Sequence, residues 1–328
     1  MKTTASWLLV LVLLLGGCAG GTPQPKPGPA PNDGAAPTAP KHGISRAEAE
    51  ALVTAYLQDL VEGQRSRAQQ RYVAQTKVEP ALGGVAWTQY ALLQATEVEE
   101  GWLIQAREYL SSAAEPRSRV TTGYYLVVRE GERLALDLPQ KRWPAEKAAP
   151  YRPAAAELSP AAQEPLRRLA LVTEGQTRTV QPGLPNAFRP HGAAPDVEFG
   201  VGQNGWGALA LSPDGQRIAF VTRGTHAFLG VADLAGKVTG LDLWFEGGAG
   251  ELAWSHDGQH LAATVLRPSG ILSLQVWNLA TGQPIRVTGL PAEADVTRPQ
   301  WRGSSLHVQA GKAPFTVNLS TGQATPAR

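Results

Sequence analysis

Apolar residues follow three different spacings along this chain. Trp7 to Leu15 is an unbroken apolar run. Between residues 49 and 60, Ala49, Leu52, Val53, Tyr56, Leu57 and Leu60 recur at the spacing that puts them on one helical face. Ser45 and Glu48 stand just before that run as a capping box, with the serine at N-cap and the glutamate at N3. A second helical stretch is predicted over 66–73. Beyond it the pattern shortens to strand-length segments, predicted over 86–95, 101–110, 120–129 and 133–138. Glu99-Glu100-Gly101 and Arg129-Glu130-Gly131-Glu132 supply hairpin turns between them. Helices followed by an antiparallel sheet predict an α+β region.

The C-terminal part repeats itself. Ala208-Leu209-Ala210-Leu211-Ser212-Pro213-Asp214-Gly215 aligns with Glu251-Leu252-Ala253-Trp254-Ser255-His256-Asp257-Gly258, and each is followed by a second apolar strand. The spacing is about 43 residues, within the range of propeller blades. A degenerate third copy runs Arg298-Pro299-Gln300-Trp301-Arg302-Gly303. A second hairpin recurs in phase: Asn278-Leu279-Ala280-Thr281-Gly282 and Asn318-Leu319-Ser320-Thr321-Gly322, with Asp233-Leu234-Ala235-Gly236 as the earlier copy. Asp-Gly provides the positive φ that a tight hairpin needs, and Pro213 presets the turn. Two hairpins per repeat make a four-stranded blade. The repeats over 205–328 resemble the TolB-like and WD40-like repeats of β-propellers, in which Ser-Pro-Asp-Gly joins the inner strands. Three blades are plain. Leu169 to Thr177 is the candidate outer hairpin of a divergent earlier one, giving room for a fourth. The alternatives to a small closed propeller are an open three-blade stack, or closure by the linker or the first domain.

Residues 44–140 resemble, in element order, the NTF2-like α+β domains found outside the membrane in bacterial lipoproteins. That resemblance implies a cone-shaped fold with an interior that Trp87, Tyr90, Trp102, Tyr109 and Tyr124 line or fill. Pro- and Ala-rich sequence over 141–165 reads as a linker, with a short helix expected from Ser159. The expected organisation is therefore a leader over 1–17, a Pro/Gly-rich tether over 18–43, the α+β domain over 44–140, the linker, and the repeats over 166–328.

The leader carries the most specific local signal. The apolar run is too short for a bilayer, which needs about 20 residues, and fits a signal peptide core. It ends in Leu15-Gly16-Gly17-Cys18, which resembles a lipobox. The resemblance implies cleavage before Cys18 and lipid modification of its thiol, with Leu15, Gly16 and Gly17 read by the signal peptidase. Acyl chains contribute about 0.8 kcal/mol per buried CH₂. Cys18 is the chain's single cysteine, so an exported protein of this sequence is stabilised by packed cores rather than disulfides. The expected location is the outer face of the cytoplasmic membrane, or the outer membrane of a two-membrane cell.

Charge and chemistry narrow the function. Thirty Lys and Arg against 28 Asp and Glu leave a net charge of +2, with no basic excess for a nucleic-acid partner. No Gly-x-Ser-x-Gly elbow, Walker loop or dinucleotide fingerprint is present, and no cofactor is implied. His256 and His260 have metal-pair spacing, but they flank a predicted Asp-Gly hairpin, so no metal site is expected. Asp214 and Asp257 are explained by their turns. Trp254, Trp277 and Trp301 occupy repeat positions expected in the core. Trp206, Trp244 and Phe245 lie near Gly-rich segments and are the candidates for an exposed binding surface. The order of lipobox, α+β domain and propeller resembles the LpqB type of lipoprotein, which implies envelope signalling beside a sensor kinase. The expected function is a non-enzymatic, membrane-anchored scaffold for an envelope protein. The alternative is a small-molecule or glycan binder using the α+β cone or the propeller channel.

Overall fold

The computed structural model describes residues 42–74, 85–112, 116–137, 156–161, 168–173, 176–245, 249–267 and 269–327. The leader, Cys18 and most of the tether lie outside them. Helix α1 (Arg46–Val61) begins at the expected capping box: the Ser45 N–H donates to Glu48 Oε2 at 2.8 Å, and the Glu48 N–H donates to Ser45 Oγ. Its face of Ala49, Val53, Tyr56, Leu57 and Leu60 is buried. Helix α2 (Arg65–Gln70) is tied to it by Asp59, a buried carboxylate that receives Arg71 at 2.5 Å and Arg67 at 3.3 Å.

The helices pack on one face of three long antiparallel strands, β1 (Val85–Val98), β2 (Gly101–Ser112) and β3 (Arg117–Glu130). Both predicted turns and all three strands fall where the sequence placed them, each strand running a little longer. The free edge of β3 is then shared. Its C-terminal half pairs with β4 (Arg133–Asp137), and residues Ser118 to Val120 pair with β5 (Ala156–Pro160). Beyond β5 come β6 (Leu169–Thr173) and β7 (Gln176–Val180) in the same sheet. This corrects two expectations. Ala156–Pro160 is a strand rather than linker, and Ser159-Pro160 ends that strand rather than opening a helix. A local Pro/Ala composition yields to the backbone pairing that β3 offers.

After a short pair, β8 (Ala187–Phe188) with β9 (Phe199–Gly200), three four-stranded antiparallel sheets follow. The first is β10 (Gly205–Leu211), β11 (Arg217–Arg223), β12 (His226–Asp233) and β13 (Val238–Phe245). The second is β14 (Ala249–Trp254), β15 (His260–Leu266), β16 (Leu272–Asn278) and β17 (Gln283–Ile285). The third is β18 (Val296–Arg302), β19 (Ser305–Ala310), β20 (Ala313–Val317) and β21 (Ala324–Pro326). These are blades II, III and IV of a propeller-like ring. The end of β3 with β5, β6 and β7 stands as blade I, and it includes the divergent hairpin expected at 169–177.

The Ser-Pro-Asp-Gly turn is built as the residues dictate. Gly215 has φ +70° and Gly258 φ +65°. In both copies the aspartate accepts from the serine hydroxyl and from the backbone N–H two residues on. The Ser255 hydroxyl holds Asp257 below the usual carboxylate range, and the Gln259 amide adds to this. Burial opposes the same effect at Asp214, but the Ser212 hydroxyl and Gln216 amide outweigh it.

Neighbouring blades are joined by an equivalent tryptophan. Trp254 of blade III donates its indole N–H to Ala210 O of blade II at 3.1 Å, and Trp301 of blade IV donates to Ala253 O of blade III at 3.0 Å. Blade II has Leu211 at this position, and its N–H donates to Ser118 Oγ of β3 at 3.2 Å. Inner strands β10, β14 and β18 touch in sequence, β10 touches β3, and β18 touches β1. The N-terminal α+β region, whose sheet runs on into blade I, therefore completes the ring, one of the alternatives the sequence left open.

Candidate functional site

Two places in the ring gather side chains that are not explained by packing alone. The first is an exposed aromatic cluster on blade II. Phe245 ends β13, the outermost strand, directly opposite His226 at the start of β12. The rings of Phe245 and His226 are 4.6 Å apart and edge-on, and those of Phe245 and Phe199 are 4.4 Å apart and edge-on. Such pairs contribute about 0.5–1.5 kcal/mol beyond burial, so Phe245 is held in place. It is nevertheless 43% exposed, one of three large hydrophobics exposed among the described residues. A second, Leu266, lies at the corresponding end of blade III.

The other two aromatic candidates are placed differently. Trp206 is a correction: it is 3% exposed and packs edge-on against Phe220 inside the core of blade II. Its Gly neighbours belong to strand β10 and its entry, not to a loop. Trp244 is half-buried against the core between blades II and III. Gln275, with its amide oriented to satisfy both neighbours, accepts from Trp244 Nε1 at 3.0 Å and donates to Asp242 at 3.3 Å. Burial raises the Asp242 carboxyl, against the hydrogen bonds it accepts from the His191 and Leu243 amides. Trp254, Trp277 and Trp301 are core residues.

The second place is the seam where β18 meets the first domain. A cavity of about 300 Å³ opens there, walled by Leu60 and Val61 at the end of α1, Trp87 of β1, and Leu252 and Pro299 of the inner strands. Glu251, Arg298 and Arg65 also line it. Glu251 and Arg298 are repeat-equivalent: both hold the position of Ala208 in blade II. Each lies in a register shift of its inner strand, between Ala249 and Leu252 in β14 and between Thr297 and Gln300 in β18. Bulges of this kind re-aim a side chain. Arg298 has φ +53°, the one described non-glycine residue in that region, and it precedes a proline that restricts it further. Its backbone N–H donates to Glu251 Oε2 at 2.5 Å, and its guanidinium donates to Glu62 O. Burial raises the Glu251 carboxyl, partly offset by the Arg298 amide and charge. Next to the cavity, Gln300 donates to Val61 O at 2.8 Å and Arg302 pairs with Glu62 at 2.5 Å.

His256 and His260 part company at the hairpin. His256 bridges three elements: its Nδ1 lies 2.5 Å from Gln89 Nε2 of β1, and its Nε2 lies 3.1 Å from Trp301 O. His260 lies against the Trp301 ring. Among the described residues no group of three or more His, Cys, Asp and Glu could hold a metal ion, and no helix is long and apolar enough to cross a membrane.

The sequence reading missed Glu108. It is fully buried in the first domain, accepting from the Trp87 indole at 2.7 Å and the Tyr125 hydroxyl at 2.5 Å. Burial pushes its carboxyl up, against those two donors, and pushes the nearby Tyr72 hydroxyl up to about 12. Gly123 makes the space, since a Cβ there would lie 2.2 Å from Glu108 Oε1. The signal was present in the alternation Ile104, Ala106, Glu108, Leu110, which places a carboxylate among inward positions. Trp87, Tyr90 and Trp102 belong to or pack on this helical-face core, whereas Tyr109 points to the opposite face and donates to Pro213 O of blade II.

No protein-family model matches the chain, and no curated protein matches it. Solved structures similar to it are propellers. TolB from Acinetobacter baumannii is 14% identical with a TM-score of 0.37, over 82% of this chain and 79% of that one. A protein described as a TolB from Agrobacterium tumefaciens is 14% identical with a TM-score of 0.31, over 49% of this chain and 58% of that one. The β-propeller domain of the Trilobed protease from Pyrococcus furiosus is 12% identical with a TM-score of 0.32, over 73% and 58%. The chain spans little more than half the length of the last two. Superpositions this loose carry no functional argument, and the assignment of blades rests on this chain's own strand pairing: a β-rich, propeller-like ring that its N-terminal α+β region completes.

Proposed function

We propose that this chain is an exported lipoprotein, anchored through Cys18, whose ring presents a docking face to another protein of the cell envelope and performs no chemistry of its own. The carrying observation is the Phe199–His226–Phe245 cluster: aromatic, preorganised by edge-on packing, and exposed on an outer strand. Hot spots at protein interfaces are enriched in such anchors. The Leu15-Gly16-Gly17-Cys18 sequence supports the location, and the Pro-rich stretch after it supports a spacer between bilayer and ring. A role in envelope signalling is the finer form of this reading, as is an NTF2-like origin for the first domain.

The test is site-directed photo-crosslinking in intact cells. A photoreactive residue at position 245 should give one discrete adduct. The same residue at Lys312, an exposed position on blade IV, should not give it. Cys18→Ala should move the protein from the membrane to the soluble fraction and remove the adduct. The same products at 245 and 312, or none at either, would overturn the docking face. Membrane recovery unchanged by Cys18→Ala would overturn the anchor.

A further inference from the structure

We infer that the seam cavity is a binding site for a small zwitterion of the amino-acid type, with its ammonium on Glu251, its carboxylate at Arg65 and Arg298, and an aliphatic body against Leu60, Val61, Leu252 and Pro299. This inference does not depend on the protein-docking reading.

Three independent features converge on it. The first is charge placed where the repeat has none. The position filled by Ala208 in blade II carries Glu251 and Arg298 in the two blades that border the cavity, and both side chains line it. The second is geometry. Arg298 holds φ +53° before a proline, a conformation that few non-glycine residues adopt. That conformation aims its backbone N–H at one oxygen of Glu251. The guanidinium is anchored by the backbone carbonyl of Glu62, the C-cap of α1. The third is shape. About 300 Å³ is at the small end of ligand pockets, and Leu60, Val61, Leu252, Pro299 and Trp87 line it together with charged side chains of both signs. A purely anionic ligand would face the Glu251 carboxylate, and a purely cationic one would face Arg65 and Arg298. A small molecule carrying both charges satisfies both.

The experiment is isothermal titration of the full chain with L-leucine, N-acetyl-L-leucine and L-leucinamide. N-acetylation removes the ammonium and amidation removes the carboxylate, with the aliphatic body kept. L-leucine should bind, with each derivative at least tenfold weaker. Glu251→Gln keeps the acceptor for the Arg298 N–H, and it should weaken L-leucine at least tenfold while narrowing its advantage over the N-acetyl form. Arg65→Ala, at an exposed position, should narrow the advantage over the amide and leave the fold intact by circular dichroism. Failure of L-leucine to bind the wild-type chain would overturn the inference. So would binding that neither substitution alters, or equal binding of all three compounds.

Discussion

Blades II, III and IV meet each other through one device, and the ring closes through another. Between blades, a buried tryptophan reaches across and bonds a backbone carbonyl of the preceding inner strand, at 3.1 Å from Trp254 and 3.0 Å from Trp301. This tryptophan contact is buried and recurs in both joints. At the closing seam no repeat tryptophan reaches across. Gln300, Arg302 and Arg298 contact Val61 O, Glu62 and Glu62 O, and a cavity remains beside them. A repeated blade finds its own kind on either side and evolves one shared joint. The closing seam joins surfaces with no common pattern, and there polar side chains meet backbone carbonyls and a carboxylate. A joint of this kind costs less to open, and it leaves room for a ligand.

Breaking a repeated joint should have the largest effect. Trp254→Ala removes a fully packed indole and its hydrogen bond, and should cost about 3–5 kcal/mol, read as a lower urea midpoint. Gly123→Ala tests the first domain on the other side of the ring. Its methyl would strike Glu108 Oε1 and the Tyr125 hydroxyl, both buried, for a loss of about 1–3 kcal/mol. Glu108 itself gives a pH signature. Its carboxyl is raised in the folded state, so over the interval above its ordinary 4.5 the folded protein holds more protons than the unfolded one. Its contribution is therefore fully present below that value and is lost as pH rises through the folded value. Glu108→Gln should flatten that part of the stability–pH curve, measured by urea denaturation at a series of pH values.

The closing seam should respond least. Arg302→Ala removes a partly exposed ion pair with Glu62, about 0.2–1 kcal/mol. The sharper measurement is hydrogen exchange: β18–β21 should lose protection before blades II and III do. Equal loss in all blades would mean that the closing seam is as strong as the tryptophan joints, and the contrast between them would fail.

What the residues disclosed tracks which interactions are local. The capping box, the hairpins and the blade repeat depend on neighbours a few positions away, and each stood where expected. Blade I was legible only as the hairpin at 169–177, because its other strands, β5 and the end of β3, carry no repeat signature and are recruited by pairing across a long sequence separation. Ala156–Pro160 hid in a Pro/Ala-rich stretch for the same reason. Trp206 was misplaced because its flanking glycines suggested a loop, whereas they serve the entry to β10 and its bulge. Of the seam cavity, the charges were visible as departures from Ala208 in the repeat. That they face one space depended on the ring closing, and no stretch of sequence states it.

Arg302 meets Glu62 across 240 residues of chain, and Gln300 meets Val61 across 239. Such contacts set a timetable for folding. Helix α1 and β1–β3 precede the blades in sequence, yet the strand that meets them, β18, opens the third of the four-stranded sheets. Until β18 arrives, the first domain keeps an uncovered flank, and the ring waits with one face open to solvent. Long-separation contacts of this kind slow folding, since the chain must lose loop entropy before the contact rewards it. Ring closure therefore has more loop entropy to lose than any single hairpin, and closure rather than blade formation is expected to set the pace of folding.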